Sequence, residues 1–313
     1  MRNHRRIPLG TLLLISAATL SFALGACQGV PSSAISSSSA PQLRVLAVET
    51  FLADIAQNVA GDRLRVESLL PLGADPHAFQ PSPADVAKVS ECQVLITNGA
   101  GFESFLGKLL EAAGNGPQLI VASDGLPSRI SREGEETEDP HFWLDPTLVI
   151  RYVENIRNGL SLVDPAGKEL YLQNATSYIE KLHALDRWIM DQVQQIPVEK
   201  RLLVTNHESL GYFADRYGFH LAGTVIPSVS TDSAPSASQM ARLVEQIRAT
   251  GAPAIFLETG ANPLLARQVA EEAGVKVVTE LFTHSLTAPG GGAPTYLEMM
   301  RSNTLAIIQA LRE

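Results

Sequence analysis

Four histidines of this 313-residue chain occupy loops that follow predicted strands. Imidazole is a neutral nitrogen donor, and four imidazoles converging on one point suit zinc, which favours tetrahedral sites with Zn–N bonds of about 2.0–2.1 Å. Copper, nickel and cobalt also accept imidazole, whereas calcium and magnesium prefer oxygen ligands. The sequence therefore predicts a site for a divalent transition metal, with the ligands His77, His141, His207 and His284.

Three acidic residues beside these histidines are candidates to orient the imidazole rings. Asp75 and Asp139 each stand two residues before a predicted ligand, and Glu208 directly follows His207. A metal-bound histidine usually donates its other ring N–H to a carboxylate or carbonyl, which fixes the tautomer. As alternatives, the two aspartates fit turn residues before proline, and Glu208 fits the cap of the helix that follows it.

The other three histidines show no such pattern. His4 precedes the apolar N-terminal segment, His183 lies on the polar side of a predicted long helix, and His220 begins a predicted strand. We expect all three to be solvated or structural.

The segments around the predicted ligands alternate between strand-like and helix-like runs. Four strands with intervening helices are predicted between Leu43 and Ala122, and a similar series runs from Arg201 to Leu311. Such alternation indicates βαβ units, with parallel sheets covered by helices. Because ligands of open α/β sheets bind beyond the carboxyl ends of the strands, two histidines from each series should face one another across a cleft.

A single long helix is predicted between the two series. Asp164 and Pro165 suit the cap and the first helical position, and after Gly167 no Gly or Pro occurs until Pro197. The predicted fold is thus α/β with two lobes, each a mostly parallel four-stranded sheet flanked by helices, joined by one long rigid helix. The predicted boundaries are residues 43–163 for the N-terminal lobe, 164–196 for the linking helix and 197–313 for the C-terminal lobe.

The N-terminus has the layout of an export signal. Positive residues are followed by an apolar stretch from Leu9 to Leu24, and small residues precede Cys27. We predict a lipoprotein signal peptide at residues 1–26, lipidation of Cys27 and a flexible, serine-rich tether at 27–42. The alternative, a transmembrane anchor, fits less well because the apolar stretch is short and contains Ser, Thr and Gly.

The net charge of −9 argues against nucleic acid as a partner and is compatible with a cation as ligand. Apart from Cys27, the chain has one cysteine, Cys92, in an apolar run. We predict that it is a buried, unreactive thiol.

The segments around all four histidines resemble the metal-specific solute-binding proteins of zinc and manganese ABC transporters, the cluster A-I family. The resemblance extends from Leu43 to the C-terminus, and the octet from Asp139 to Pro146 is its most specific motif. It is carried by the segments 75–77, 81–85, 98–103, 139–146, 206–213, 285–286 and 296–301.

This resemblance implies two α/β lobes joined by one rigid helix, a metal buried between them, and an ABC permease with its ATPase as partners. It also implies a monomeric, extracytoplasmic protein that is lipid-anchored to a bacterial membrane and has no catalytic residues. Family members commonly have Asp at the position of His284, and manganese-type members tend to have Glu at the position of His207. Because both differences replace oxygen by nitrogen, they favour zinc over manganese as the cargo.

Other functions remain open at this point. An extracellular zinc hydrolase would keep three protein ligands and a water site, which requires that His284 does not bind. A receptor for a metal chelate or cobalamin would need aromatic and Arg side chains in the cleft, whereas these loops offer histidines. An additional role in cell adhesion would leave no readable pattern.

Overall fold

The computed structural model describes residues 43–114, 116–131 and 137–312. The predicted signal peptide, Cys27 and the tether lie outside the described residues, as does His4. Within the described part of the chain, no helix combines the length and apolarity that crossing a bilayer requires.

The first lobe is built on a parallel four-stranded sheet with the strand order β2-β1-β3-β4. Its elements are β1 (Val45–Ala47), α1 (Thr50–Ala60), β2 (Val66–Ser68), α2 (Pro83–Glu91), β3 (Val94–Thr97), α3 (Leu106–Ala113) and β4 (Gln118–Val121). The central strands β1 and β3 are buried along their whole length, as strands covered by helices on both faces must be. Helix α2 begins with a reciprocal capping box between Ser82 and Asp85, with Pro83 in the first turn.

A two-stranded antiparallel hairpin follows this sheet and was not predicted. It pairs β5 (Arg129–Ile130) with β6 (Glu138–Asp139), so that Arg129 lies opposite Asp139. Strands of two residues are too short to show an alternating pattern, and for that reason the sequence gives no sign of them. The hairpin places His141 after β6 rather than directly after β4, the position predicted for it.

The second lobe repeats the architecture, with the parallel strand order β10-β9-β7-β8. Its elements are β7 (Leu202–Thr205), α6 (Gly211–Tyr217), β8 (His220–Thr224), α7 (Ala237–Thr250), β9 (Ala254–Glu258), α8 (Leu264–Ala273), β10 (Lys276–Leu281) and α9 (Tyr296–Arg312). These bounds agree with the predicted elements to within a few residues.

Two long helices come between the two sheets in the order of the chain. Helix α4 (Pro146–Val163) is capped by Asp145, a short 3-10 turn spans Pro165–Gly167, and α5 (Lys168–Val193) follows. Its 26 residues give α5 a length of about 39 Å. Helix α5 packs against α4, α1 and α9, and thus against both lobes.

The predicted fold class is confirmed: two four-stranded parallel sheets, flanked by helices and joined by a long helix. Helix α4 is an addition, because no helix was predicted between Thr147 and Val163. The described residues form one compact unit, and the proposed domain boundaries stay a prediction.

Candidate metal centre

The structure brings the four predicted ligands together from both lobes. His77 lies in the loop after β2 and His141 after β6, while His207 follows β7 and His284 follows β10. All four are buried, and one ring nitrogen of each lies within 4.8 Å of those of the other three. The shared position beyond the strand ends, inferred from the sequence, therefore exists in three dimensions.

Three of the distances between ring nitrogens, those from His141, match the edges of a tetrahedral ion site. The Nε2 atom of His141 lies 3.4 Å from Nε2 of His77 and 3.3 Å from Nε2 of both His207 and His284. A tetrahedron with Zn–N bonds of about 2.0–2.1 Å has edges of roughly 3.3–3.4 Å between its ligand atoms. The distances from His141 to the other three rings are therefore those that a shared ion with four nitrogen ligands requires.

Aromatic side chains enclose the cluster. Phe102 packs edge-on against the His77 ring at a centroid distance of 5.0 Å, and Trp143 lies 5.2 Å from the His141 ring. The Trp143 indole N–H donates to the carbonyl of Thr283 in the other lobe at 2.7 Å. The rings therefore sit in an apolar, largely dry environment, in which direct ligation is stronger than it would be in water.

Hydrogen bonds of two buried side chains, Glu103 and Asn98, hold the 98–103 segment that carries Phe102. The carboxylate of Glu103 accepts the backbone N–H groups of Asn98 and Gly99, and the Asn98 side chain donates to the Pro140 carbonyl at 3.0 Å. Burial raises the pKa of Glu103 to about 6 and that of the neighbouring Glu49 well above its usual range. One proton shared between these two buried carboxyls would remove their repulsion.

Of the three predicted orienting acids, Asp139 contacts a ligand ring. Its Oδ1 accepts from the backbone N–H of His141 at 3.0 Å and lies 2.8 Å from Nδ1 of the same residue. A donor Nδ1–H leaves Nε2 free to bind a metal. The predicted role of Asp139 in fixing this tautomer stays a prediction, which the contact supports.

The other two acids hold loops. Asp75 accepts the backbone N–H of His77 at 3.0 Å, and its second oxygen accepts the Thr231 hydroxyl of the other lobe at 2.6 Å. Glu208 accepts the Ser131 hydroxyl at 2.5 Å. Both side chains therefore tie one lobe to the other near the cluster.

A fourth acid, Glu258, was missed by the sequence reasoning. Its Oε1 lies 2.7 Å from Nδ1 of His207, although the two groups are not aligned as a linear hydrogen bond, and it accepts the Ser209 hydroxyl at 3.1 Å. Glu258 is the last residue of β9. The strand-end rule that identified the histidines would have found it, had that rule been applied to carboxylates as well.

Burial lowers the pKa of three of the four imidazoles, because an imidazolium there would lose its hydration. The pKa of His77 falls to about 3, and those of His141 and His284 lie well below the usual value, with the charge of His207 as a further cause. Burial is the largest influence on His207 and acts to lower its pKa, but the carboxylates of Glu258, Asp75 and Asp139 together outweigh it and the net pKa is raised. Of the four rings, His207 is thus the one whose pKa is raised rather than lowered.

The remaining histidines and the thiol lie elsewhere. His183 and His220 are exposed on the surface, far along the chain from any ligand loop. Cys92 is buried, and burial raises the pKa of its thiol to about 11, so it stays protonated and unreactive at neutral pH.

An open cleft of about 460 Å³ adjoins the cluster and is lined by both lobes. His284 borders it, together with the carboxylates of Asp75 and Glu258 and the hydroxyl of Thr231. The cleft thus presents two carboxylates beside one of the four imidazoles.

Two parallel α/β lobes on a long helix, with a closed four-nitrogen cluster between them, define a class: a two-lobe solute-binding protein whose site suits a metal ion. The family model described as "zinc-uptake complex component A periplasmic", ZnuA, matches residues 45–310. The chain belongs to this family of metal-binding receptors of ABC transporters. It is therefore a binding protein and not an enzyme.

Individual relatives agree on the class and differ in the metal they are named for. The manganese-binding lipoprotein MntA of Halalkalibacterium halodurans is 34% identical over 273 residues, which cover 87% of this chain and 89% of the relative. The manganese ABC transporter substrate-binding lipoprotein PsaA of Streptococcus pneumoniae is 33% identical, over 97% of this chain and 98% of the relative. The periplasmic zinc-binding protein TroA of Treponema pallidum superimposes with a TM-score of 0.79 at 26% identity, over 86% of this chain and 99% of TroA.

Proposed function

We propose that this protein captures a divalent transition metal, with zinc as the cargo, and delivers it to an ABC permease and its ATPase. The observation that carries the proposal is the cluster of four Nε2 atoms, three of which lie 3.3–3.4 Å from the central one on His141. All four rings would bind the ion directly, Asp139 would accept the opposite N–H of His141, and the carboxylate of Glu258 would lie beside Nδ1 of His207.

The donor set supports zinc on chemical grounds. Four neutral nitrogens suit zinc, whereas manganese is better served by carboxylate, carbonyl and water oxygens. Manganese is the second candidate, because MntA and PsaA are both named for manganese. Zinc binds most nitrogen and oxygen sites more tightly than manganese does, so affinity alone does not identify the cargo.

The test has two arms. Stripped protein should bind one zinc ion per chain in calorimetric titration, and manganese far more weakly. Protein purified from its own host without a nickel column should contain zinc. Binding of neither ion would overturn the proposal, and native protein loaded with manganese would replace zinc by the second candidate.

The proposal extends to the location of the protein at the membrane. We propose that Cys27 carries a lipid, that residues 27–42 tether the two lobes to the membrane and that the receptor acts as an extracytoplasmic monomer. MntA and PsaA, both named lipoproteins, support the anchor. A Cys27→Ser variant should appear in the soluble rather than the membrane fraction of the host. Unchanged membrane fractionation would contradict lipidation.

The affinity for zinc should fall as the pH drops from about 8 to 5, by one to two powers of ten per pH unit. Metal binding requires a neutral His207, whose pKa is raised, and an ionised Asp139, whose pKa burial raises to about 7. Both groups must lose a proton when zinc binds, so protons compete with zinc below these pKa values. His77, with a pKa of about 3, and the other two rings add no competition in this range.

Chelator competition at several pH values measures this slope. Glu258→Gln should lower the pKa of His207 and move the pH dependence to lower pH. Four independent, exposed imidazoles would instead give a slope approaching four below about pH 6.5. A slope of that size would show that the rings are not buried as described.

A further inference from the structure

Arg129 lies directly behind the carboxylate that contacts His141. Its Nε is 3.6 Å from Oδ2 of Asp139, and the opposite oxygen of that carboxylate contacts the His141 ring. The two side chains are 14% and 2% exposed, so this charge pair is shielded from water. Arg129 and Asp139 are also partners in the register of the β5–β6 hairpin.

The same guanidinium reaches across to the second lobe. Its Nη1 donates to the carbonyl of Gly211 at 3.0 Å and pairs with the carboxylate of Asp215. The backbone N–H of Arg129 donates to the Tyr212 hydroxyl at 2.9 Å, and that hydroxyl donates to the Asp139 carbonyl at 2.8 Å. The start of helix α6 is thereby fastened to the hairpin that carries Asp139.

Because Gly211 has no side chain, the Arg129 guanidinium and the Asp139 carboxylate fit against the start of helix α6. A Cβ atom at that position would lie 2.7 Å from Nε of Arg129 and 2.8 Å from Oδ2 of Asp139. At such distances the guanidinium or the carboxylate would have to shift to admit a larger residue. Arg129, Asp139 and Gly211, from both lobes, thus approach one another closely.

We propose that Arg129 is a positioning residue for metal capture: it holds Asp139 in the orientation that directs Nε2 of His141 toward the other three rings. Through Gly211 and Asp215 it also fixes that orientation relative to the lobe that supplies His207 and His284. This inference rests on the proposed function, because it assigns Arg129 a part in the same site. Arg129 touches neither the ion nor a ligand ring.

Two variants test the proposal. Arg129→Met removes the charge and the fork of donors while keeping the aliphatic stem, and Arg129→Lys keeps the charge but not the fork. The loss of a group that orients a metal ligand typically weakens metal binding 10–100-fold. Arg129→Met should therefore release zinc to a chelator about 10–100-fold more readily than wild type, and Arg129→Lys should recover part of this loss.

A second readout separates positioning from stability. In stripped protein, long-range proton–nitrogen NMR should show His141 as the Nδ1–H tautomer in wild type and as a tautomer mixture in Arg129→Met. Arg216→Met is the matched control, because Arg216 makes a two-pronged pair with Asp186 away from the cluster. It should lower the melting temperature and leave zinc release within about twofold of wild type.

The outcomes are distinct. Wild-type release rates and an unchanged His141 tautomer in Arg129→Met would overturn the positioning role. If Arg129→Met does not fold, Arg129→Lys decides: unchanged zinc release and tautomer in that variant would also overturn it. Failure of the wild type itself to bind zinc would instead refute the proposed function, while the tautomer of the stripped protein would still test Arg129.

Discussion

Replacing His141 by Ala should weaken zinc binding by about two to three powers of ten, because structural zinc sites with four ligands gain roughly 10–16 kcal/mol in all and a quarter of that is roughly 2.5–4 kcal/mol. The Nε2 atom of His141 lies 3.3–3.4 Å from the Nε2 of each other ring, so its loss removes a nitrogen that is close to all three. Its removal also leaves Asp139 without the ring it contacts. Competition with a chelator of known affinity measures the change.

The matched control is His183→Ala. His183 is exposed on α5, and its removal should leave zinc affinity within about twofold of wild type, as for most exposed side chains away from a site. Thermal melts provide an independent check. Zinc at about 1,000 times its dissociation constant should stabilise the wild type and His183→Ala by about 4 kcal/mol, and His141→Ala much less. Equal zinc affinities for the two variants would contradict the site.

Replacing His284 by Asp should lower the preference for zinc over manganese at least about tenfold, because it substitutes a hard, charged oxygen for a neutral nitrogen. His284 is the suitable position for this exchange. It borders the open cleft, and unlike His141 it is not fully enclosed, with 8% of its surface exposed against 0%. The loop after β10 thus has room to bring a shorter side chain to the ion.

Titrations of both metals into stripped His284→Asp and His284→Asn separate charge from donor type. Asn offers a neutral oxygen on a side chain of the same length, so it should weaken zinc without an equal gain for manganese. An unchanged ratio of zinc to manganese affinity in His284→Asp would show that His284 is not a ligand. The remaining three histidines would then leave an open coordination position.

Much of this protein was predictable because its main signals are local. Alternating apolar runs and helical periods gave both four-stranded sheets and the helix that links them. The position of each histidine after a strand predicted that the four would lie together, since parallel strands direct their carboxyl ends to one edge, and the structure places them within reach of one another. The burial of Cys92 and the exposure of His183 followed from the same patterns.

Only the tertiary structure determined which side chains from distant parts of the chain contact one another. The β5–β6 hairpin was invisible because strands of two residues carry no period, and helix α4 was overlooked although Val149, Val153 and Ile156 have helical spacing. The contact between Glu258 and His207 joins residues 51 positions apart, and Arg129 reaches Asp215 across 86 positions. Such pairs depend on how two lobes pack, because long-range contacts are set by the whole core and not by neighbouring residues. For that reason the sequence could name four imidazoles, and only the packed fold could bring the Nε2 of His141 to 3.3–3.4 Å from those of the other three.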